Sequence, residues 1–369
     1  MWYVKYLMWF MRIIMYPYNL FMNWINEDSN VFSTKIIGTG CYLPRAHVTN
    51  EEMLDELNSE ELKEKYDREV NKGRMKNGLT GAEFIKAHYG LNSRYRANEQ
   101  ETNSFMGAEA CKEAMIAANV TKNDIDLMLY AAASMDEIIP DTSTKVHNLL
   151  KLDGVPSFSV HSTCISFMQA MNMANAFIKS GTYRTIMIVS PEKLSSTTDK
   201  DDIKTHVIMG DIAAAVILQR APTDSSSRVL NTKFATFGEF SDQIKCNVGN
   251  IMHPCSGKYT NKDYYFQTES VNLVKQVPLL VKKFLSSLTM DYSHVVIHQP
   301  SKIALSHAFQ VFDKNMVTET FDTIGNCAGA TIPYNLHKLV TSGKLKRGEN
   351  VLIVGLGAGL GVGCINLCY

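Results

Sequence analysis

Apolar and polar positions along the chain fall into short blocks whose period switches between that of a strand and that of a helix. Apolar runs of strand length stand at Lys35–Gly38 (KIIG), Leu127–Ala132 (LMLYAA), Thr185–Ser190 (TIMIVS) and Ala213–Leu218 (AAAVIL). A second series follows at Val229–Phe237, Val295–His298 (VVIH), Val351–Val354 (VLIV) and Gly363–Leu367 (GCINL). Between them, helical patterns are predicted over Met106–Ala118, over Ile165–Ser180 closed by Gly181, and over Asn272–Leu288, where apolar residues recur at i, i+3 and i+4. Strands alternating with helices predict an α/β protein of layered architecture, built as two similar βαβ-rich halves. The polar stretch APTDSSSR at 221–228 has the Pro, Asp and Ser of a connection, so the halves are predicted as 35–222 and 223–369.

Two stretches break this pattern. Residues 51–80 carry many Glu, Lys and Asp and few large apolar groups, and read as an exposed, solvated helix or insertion. Residues 1–24, MWYVKYLMWFMRIIMYPYNLFMNW, are rich in Met, Trp, Tyr and Phe with only Lys5 and Arg12 charged. The uncharged run Ile13–Asn26 contains Pro17 and is shorter than the roughly 20 residues needed to cross a bilayer. No small-residue cleavage site marks it as a secretory signal. Residues 1–34 are therefore set outside the fold, as an interfacial membrane contact through their aromatic rings or as a start codon placed too early, near Met22.

The chain has 369 residues, and its 37 basic residues balance 37 acidic ones. That balance removes the basic field on which nucleic-acid binding depends. Eight cysteines are scattered without a CxxC pair, which suits free thiols in the cytoplasm rather than a disulfide framework. No histidine stands with cysteines at finger-like spacing, so no metal is predicted.

Four segments carry candidate chemistry. Cys164, in His161–Ser166 (HSTCIS), follows a predicted strand at Phe158–Val160 and begins a helix, where free N–H groups and the macrodipole favour a thiolate. Taken alone, it fits a buried filler thiol equally well. His298 lies at the carboxyl end of a β-branched run, where α/β sheets gather ligands. Asn326 stands in a small-residue turn, IGNCAGA. The glycines of GLGAGLG at 355–361 let backbone N–H groups approach a substrate oxygen. Their GxGxGxG spacing, so near the C-terminus, does not suit a dinucleotide.

These motifs, in this order, resemble β-ketoacyl-acyl-carrier-protein synthase III, a condensing enzyme of the thiolase superfamily. The resemblance runs from about Lys35 to Tyr369 through IIGTGCYLP, the Cys164 segment, MGDIAAAVIL, HQPS, GNCAGATIP and GLGAGLGVG. It implies the thiolase-like fold, two pseudo-repeated halves in αβαβα layers, a homodimer, acyl-coenzyme A or acyl-carrier-protein substrates, and no cofactor. It also implies that Cys164 accepts the acyl group, that His298 and Asn326 complete the catalytic set, and that N–H groups of Cys164 and of the Gly357–Gly359 loop form the oxyanion hole. The expected reaction is decarboxylative Claisen condensation with a malonyl-type thioester, in fatty-acid or polyketide biosynthesis. Several positions depart from the family. Ser301 replaces an Asn, Ile303 an Arg tied to carrier docking, and Ile212 a glycine; Phe84 and His88 stand where Trp and Arg hold coenzyme A. Ile139 falls where a partner aromatic shapes the acyl pocket. The alternatives are a thiolase-fold acyltransferase to an oxygen or nitrogen nucleophile, a papain-like cysteine hydrolase sharing the Cys, His, Asn order, and a catalytically silent subunit.

Overall fold

The strand signals assemble into two sheets in the computed structural model, which describes residues 32–246, 265–268, 270–286 and 291–369. The first half opens with β1 (Ser33–Tyr42), then a separate two-stranded ribbon of β2 (Ala46–Thr49) and β3 (Ser93–Arg96). It continues through β4 (Leu127–Tyr130), β5 (Ser157–Ser159), β6 (Thr185–Lys193) and β7 (Asp211–Ala221). The second half holds β8 (Arg228–Thr236), a short pair of β9 (Ile244–Lys245) and β10 (Gln267–Thr268), then β11 (His294–Ile297), β12 (Asn350–Gly357) and β13 (Gly361–Cys368).

The order of the first sheet is β1-β7-β6-β4-β5 and that of the second β8-β13-β12-β11. In both, the first three strands run antiparallel to their neighbours and the next pairs parallel. The second sheet thus repeats the first. β6 and β7 are buried almost along their whole length, because both faces of the sheet are covered. The helices Ser166–Lys179 and Thr331–Thr341 lie between the sheets, where Phe167, Met168 and Met171 of one and Ile332, Leu336 and Leu339 of the other share a core with Ile186, Ile188, Ile353 and Ile365. The helices Asn103–Ala118 and Thr142–Leu150 cover the outer face of the first sheet, packing on Met128, Met187 and Ala215. On the outer face of the second sheet, Phe284 and Leu285 of the helix Ser270–Ser286 and Leu305 of the helix Lys302–Ala308 pack on Val295, Leu352 and Val362. This is the five-layered αβαβα arrangement.

Some boundaries differ from those expected. The glycine run 355–361 is a tight β-hairpin, with Gly357 paired to Gly361, rather than an open loop. Ile297 ends β11, so His298 lies just past the strand. The expected helix from Ile165 is a single 3-10 turn, Thr163–Ile165, followed by the α-helix from Ser166. In the charged stretch, the helix Ser59–Asn71 is capped by Asn58 Oδ1 and exposes Glu60, Glu64 and Arg68, as its polarity requires. Met53, Leu57 and Leu62 still bury themselves against Phe84, which attaches the segment to the second core. Residues 1–31, with the expected membrane contact, lie outside the described residues; among those described, no helix is long and apolar enough to cross a membrane.

Candidate active site

Cys164 sits at the turn between β5 and the helix Ser166–Lys179. The Ser162 N–H donates to Ser166 Oγ at 2.8 Å, and that hydroxyl donates to the Thr163 carbonyl at 2.7 Å. Thr163 has φ 50°, a left-handed conformation that a β-branched residue enters only when its surroundings enforce it, at a cost of about 1–3 kcal/mol. The enforcing surface is the β12–β13 hairpin. A Cβ at Gly357 would come within 2.6 Å of Thr163 Oγ1, so glycine is what lets the hairpin close over the turn.

Burial pushes the Cys164 thiol up to about 12, with the Glu192 charge adding to it, while N–H groups of Cys164 itself and of Ala358 point at the sulfur and oppose the rise. The N–H groups of the helix start favour a thiolate, as read from the sequence, and burial works against them. A single 3-10 turn and two N–H donors do not outweigh the surrounding protein. The donor contributed by the hairpin is Ala358, between Gly357 and Gly359, the two glycines expected to supply it.

His298 is positioned by β12, its N–H donating to the Val354 carbonyl at 3.0 Å. Its ring is buried, its Nδ1 has no hydrogen-bond partner, and burial pushes its pKa down to about 4, so the imidazole is neutral at physiological pH. Gln299 anchors this strand end and was not singled out from sequence. Its Nε2 donates to Thr318 O at 2.6 Å, and its Oε1 accepts from Thr320 and Phe321 N–H at 3.1 and 2.9 Å. Asn326 is held in both directions by the segment before β7. Its N–H donates to Ile208 O at 2.7 Å, and its carbonyl accepts from Gly210 N–H at 3.0 Å. A Cβ on Gly210 would collide with the Ile324 carbonyl. The side-chain Oδ1 accepts from Ala328 N–H at 2.9 Å, which turns the NH2 end of the amide the other way. Arg96 steadies the same segment by donating to the carbonyls of Met209 and His206.

These pieces converge on β12 and the hairpin. Val354 receives His298, Ala358 faces the Cys164 sulfur, and Ala358 O accepts from Thr163 Oγ1 at 3.5 Å. Cys164 also packs with Met209, which stands opposite Asn326 in a parallel bridge, and with Ala328, whose N–H bonds the Asn326 side chain. Behind them lies Glu192, also missed from sequence, although a lone carboxylate closing an apolar strand was a legible signal. Fully buried, it accepts from Ala133 N–H (2.7 Å), Ser134 N–H (2.9 Å), Ser134 Oγ (2.6 Å) and Gly329 N–H (3.1 Å). Burial raises it to about 7 against those donors.

The other expected pocket residues are not gathered here. Phe84 is a core residue, 1% exposed and edge-on to Tyr66, so the ring has no face left for a coenzyme A adenine; this corrects its assignment. His88 is half-buried and stacks on Phe84 at 5.1 Å. Ser301 caps the helix Lys302–Ala308, its hydroxyl accepting from Ala304 N–H. Ile139 is 85% exposed, next to exposed Ile138.

The profile of 3-oxoacyl-acyl-carrier-protein synthase III matches residues 158–238, and that of its C-terminal part matches residues 287–369. In sequence and in fold the chain is similar to β-ketoacyl-acyl-carrier-protein synthase III, the condensing enzyme that its motifs resemble. It is 28% identical over 328 residues to β-ketoacyl-acyl-carrier-protein synthase III of Rickettsia bellii, covering 88% of this chain and 96% of that one. The enzyme of Rickettsia akari is 29% identical over 330 residues, with the same coverage. Among solved structures, the synthase III of Aquifex aeolicus superposes with a TM-score of 0.75 at 28% identity, over 91% of this chain and 100% of that one. OleA of Xanthomonas campestris shares the fold alone, at 20% identity and a TM-score of 0.75, over 92% of this chain and 99% of its own. The names of these relatives, synthases of a β-ketoacyl-acyl-carrier protein, agree with the condensing activity expected from the motifs.

Proposed function

We propose that Cys164 is the acyl acceptor of this condensing enzyme and that His298 and Asn326 serve its decarboxylative half-reaction. The observation that carries the reading is the convergence on β12 and its hairpin of a half-buried thiol beside the N–H groups of Cys164 and Ala358, and of a neutral imidazole with an unpartnered nitrogen. The thiol is protonated at neutral pH, so attack on an acyl thioester requires its proton to leave as the sulfur–carbon bond forms. That proton is bound for the carrier thiolate that leaves, and His298 is kept for the second half-reaction. The carbonyl oxygen then gains negative charge, for which the N–H groups of Cys164 and Ala358 are the donors at hand. Collapse expels the carrier thiolate, which takes up the proton.

A malonyl-type thioester follows. Its carbon–carboxylate bond breaks, carbon dioxide leaves, and the electron pair moves into an enolate whose oxygen accepts hydrogen bonds from His298 and the Asn326 NH2. The amide cannot supply a proton, so its contribution is electrostatic. The carbanion attacks the acyl carbonyl on Cys164, the new carbon–carbon bond forms, the sulfur–carbon bond breaks, and the thiolate regains a proton. Every electron is supplied by the two thioesters, and the scheme uses no cofactor. Acyl-coenzyme A or acyl-carrier protein as donors, a homodimer as the working unit, a cytoplasmic site of action and a product for fatty-acid or polyketide synthesis complete the proposal. The exposed Ile138 and Ile139 and the absence of paired cysteines among the described residues support its dimeric and reducing aspects.

The test is intact-protein mass after incubation with acyl-coenzyme A thioesters of graded length. A mass gain equal to the acyl group in wild type and none in Cys164→Ala is expected. Undiminished loading of Cys164→Ala would remove Cys164 from the role.

A further inference from the structure

A second cluster of reactive side chains lies apart from the Cys164 centre, on the edge strand of the first sheet. Cys41 stands near the end of β1, Glu113 on the helix Asn103–Ala118 and His337 on the helix Thr331–Thr341. One ligand atom from each, a thiol sulfur, a carboxylate oxygen and an imidazole nitrogen, lie within 4.8 Å of one another. Ligands around a tetrahedral ion sit somewhat closer than this, and the carboxylate of exposed Glu113 is already drawn in, its Oε2 accepting from the Cys41 N–H while Oε1 lies toward His337. His337 Nε2 already lies 4.0 Å from Glu113 Oε1.

An independent feature points the same way. The other ring nitrogen of His337, Nδ1, is held by Thr39 Oγ1 at 3.1 Å, which fixes the ring and turns Nε2 toward Glu113. Metal-bound histidines are oriented in this manner, by a partner on the nitrogen that does not bind. His337 is buried, Cys41 half-buried and Glu113 exposed, so the cluster has a closed floor and an open side for entry of an ion and a water.

We propose that Cys41, Glu113 and His337 form a three-ligand site for a zinc-type divalent ion, with water as fourth ligand. Thiolate and imidazole exclude calcium and magnesium, which take oxygen ligands. Binding displaces the thiol proton to solvent and leaves a thiolate and a carboxylate to balance the two positive charges. Lys338 is the cation facing the thiol, and on the exposed side of the cluster it is free to swing into water. The ion would clamp β1 to both helices. One of them, Thr331–Thr341, starts five residues after Asn326, and its Tyr334 packs with Cys41, Ile324 and Cys327. The site therefore braces the Asn326 turn from behind, without touching substrate.

Cobalt(II) titration of the full chain tests this, in a Cys164→Ala background that removes the other candidate thiol. A thiolate-to-cobalt absorption band saturating at one equivalent is expected, competed away by zinc. Cys41→Ser should abolish the band, and the surface change Glu113→Gln, which does not threaten folding, should weaken cobalt binding roughly tenfold or more. Absence of the band in the background protein would overturn the site, as would a band that persists in Cys41→Ser. Unchanged cobalt affinity in Glu113→Gln would overturn the three-ligand arrangement. None of these outcomes depends on the role assigned to Cys164.

Discussion

Among the described residues stand two clusters of a cysteine, a histidine and a third polar side chain, and they are wired in opposite ways. At the Cys164 centre the sulfur faces backbone N–H donors, and the buried histidine leaves Nδ1 without a partner. At the Cys41 cluster the sulfur faces a carboxylate, and the histidine Nδ1 is tied to Thr39. Both thiols are pushed up to about 12, chiefly by burial. At Cys164 the donors work against that rise; at Cys41 the Glu113 charge and hydrogen bond add to it. A pKa alone therefore does not identify a nucleophile. What distinguishes the two is whether the neighbouring groups stabilise negative charge that grows on a substrate oxygen or only hold a proton until a cation replaces it.

The largest expected effect breaks the comparison at its cysteines. Cys164→Ala should lower condensation by about a thousandfold or more, with no acyl group detected by mass. Cys41→Ala should load acyl groups as wild type does. Equal loss in both would show that the wiring does not separate them. Next come the partners of Cys164. His298→Ala and Asn326→Ala should each lower condensation by about a hundredfold, as expected for lost enolate donors, while the mass gain on Cys164 persists. Loss of loading in Asn326→Ala would move that residue from the second half-reaction to the first.

The histidine comparison is sharpened by pH. His298 is held near 4 against an ordinary 6.5, so the folded state resists a proton that the unfolded chain accepts. Its contribution is full above about 6.5 and is lost as pH falls toward 4, about 3 kcal/mol in all. Glu192 works in the opposite sense over a similar window. Raised from 4.5 to about 7, it contributes stability below 4.5 that disappears as pH rises through 7. Thermal melts between pH 7 and 4 should therefore show His298→Gln losing less stability on acidification than wild type. Parallel curves would mean that folding does not shift the His298 pKa.

The difference between the clusters also explains what was legible in the sequence. Strand and helix positions, and the places of Cys164, His298 and Asn326, were readable because each lies in a local pattern: an apolar run, a turn, a helix start. The hairpin at Gly355–Gly361 was harder, since its glycines answer to Thr163 and Ile165, packed against them from far along the chain. Gln299 was invisible for a related reason, as its partners are backbone groups of another segment. Phe84 was assigned from the family position it fills, whereas its neighbours in space, Tyr66 and Tyr89, make it core. The spacing argument against a metal reaches only ligands close along the chain; Cys41 and Glu113 are 72 residues apart.

The smallest effect tests the support of the outer cluster rather than its ligands. Thr39 is buried, and Thr39→Val keeps its shape while removing the oxygen that holds His337 Nδ1. Leaving that nitrogen unpaired should cost about 1 kcal/mol of stability, read in a denaturant melt. Cobalt affinity should fall by about tenfold, because the ring is no longer fixed with Nε2 toward Glu113. Acyl loading of Cys164 should stay at the wild-type level, since Thr39 bonds nothing in that centre. A variant that lost stability but kept its cobalt affinity would make Thr39 a packing residue, and the orientation of His337 would then rest on the helix Thr331–Thr341 alone.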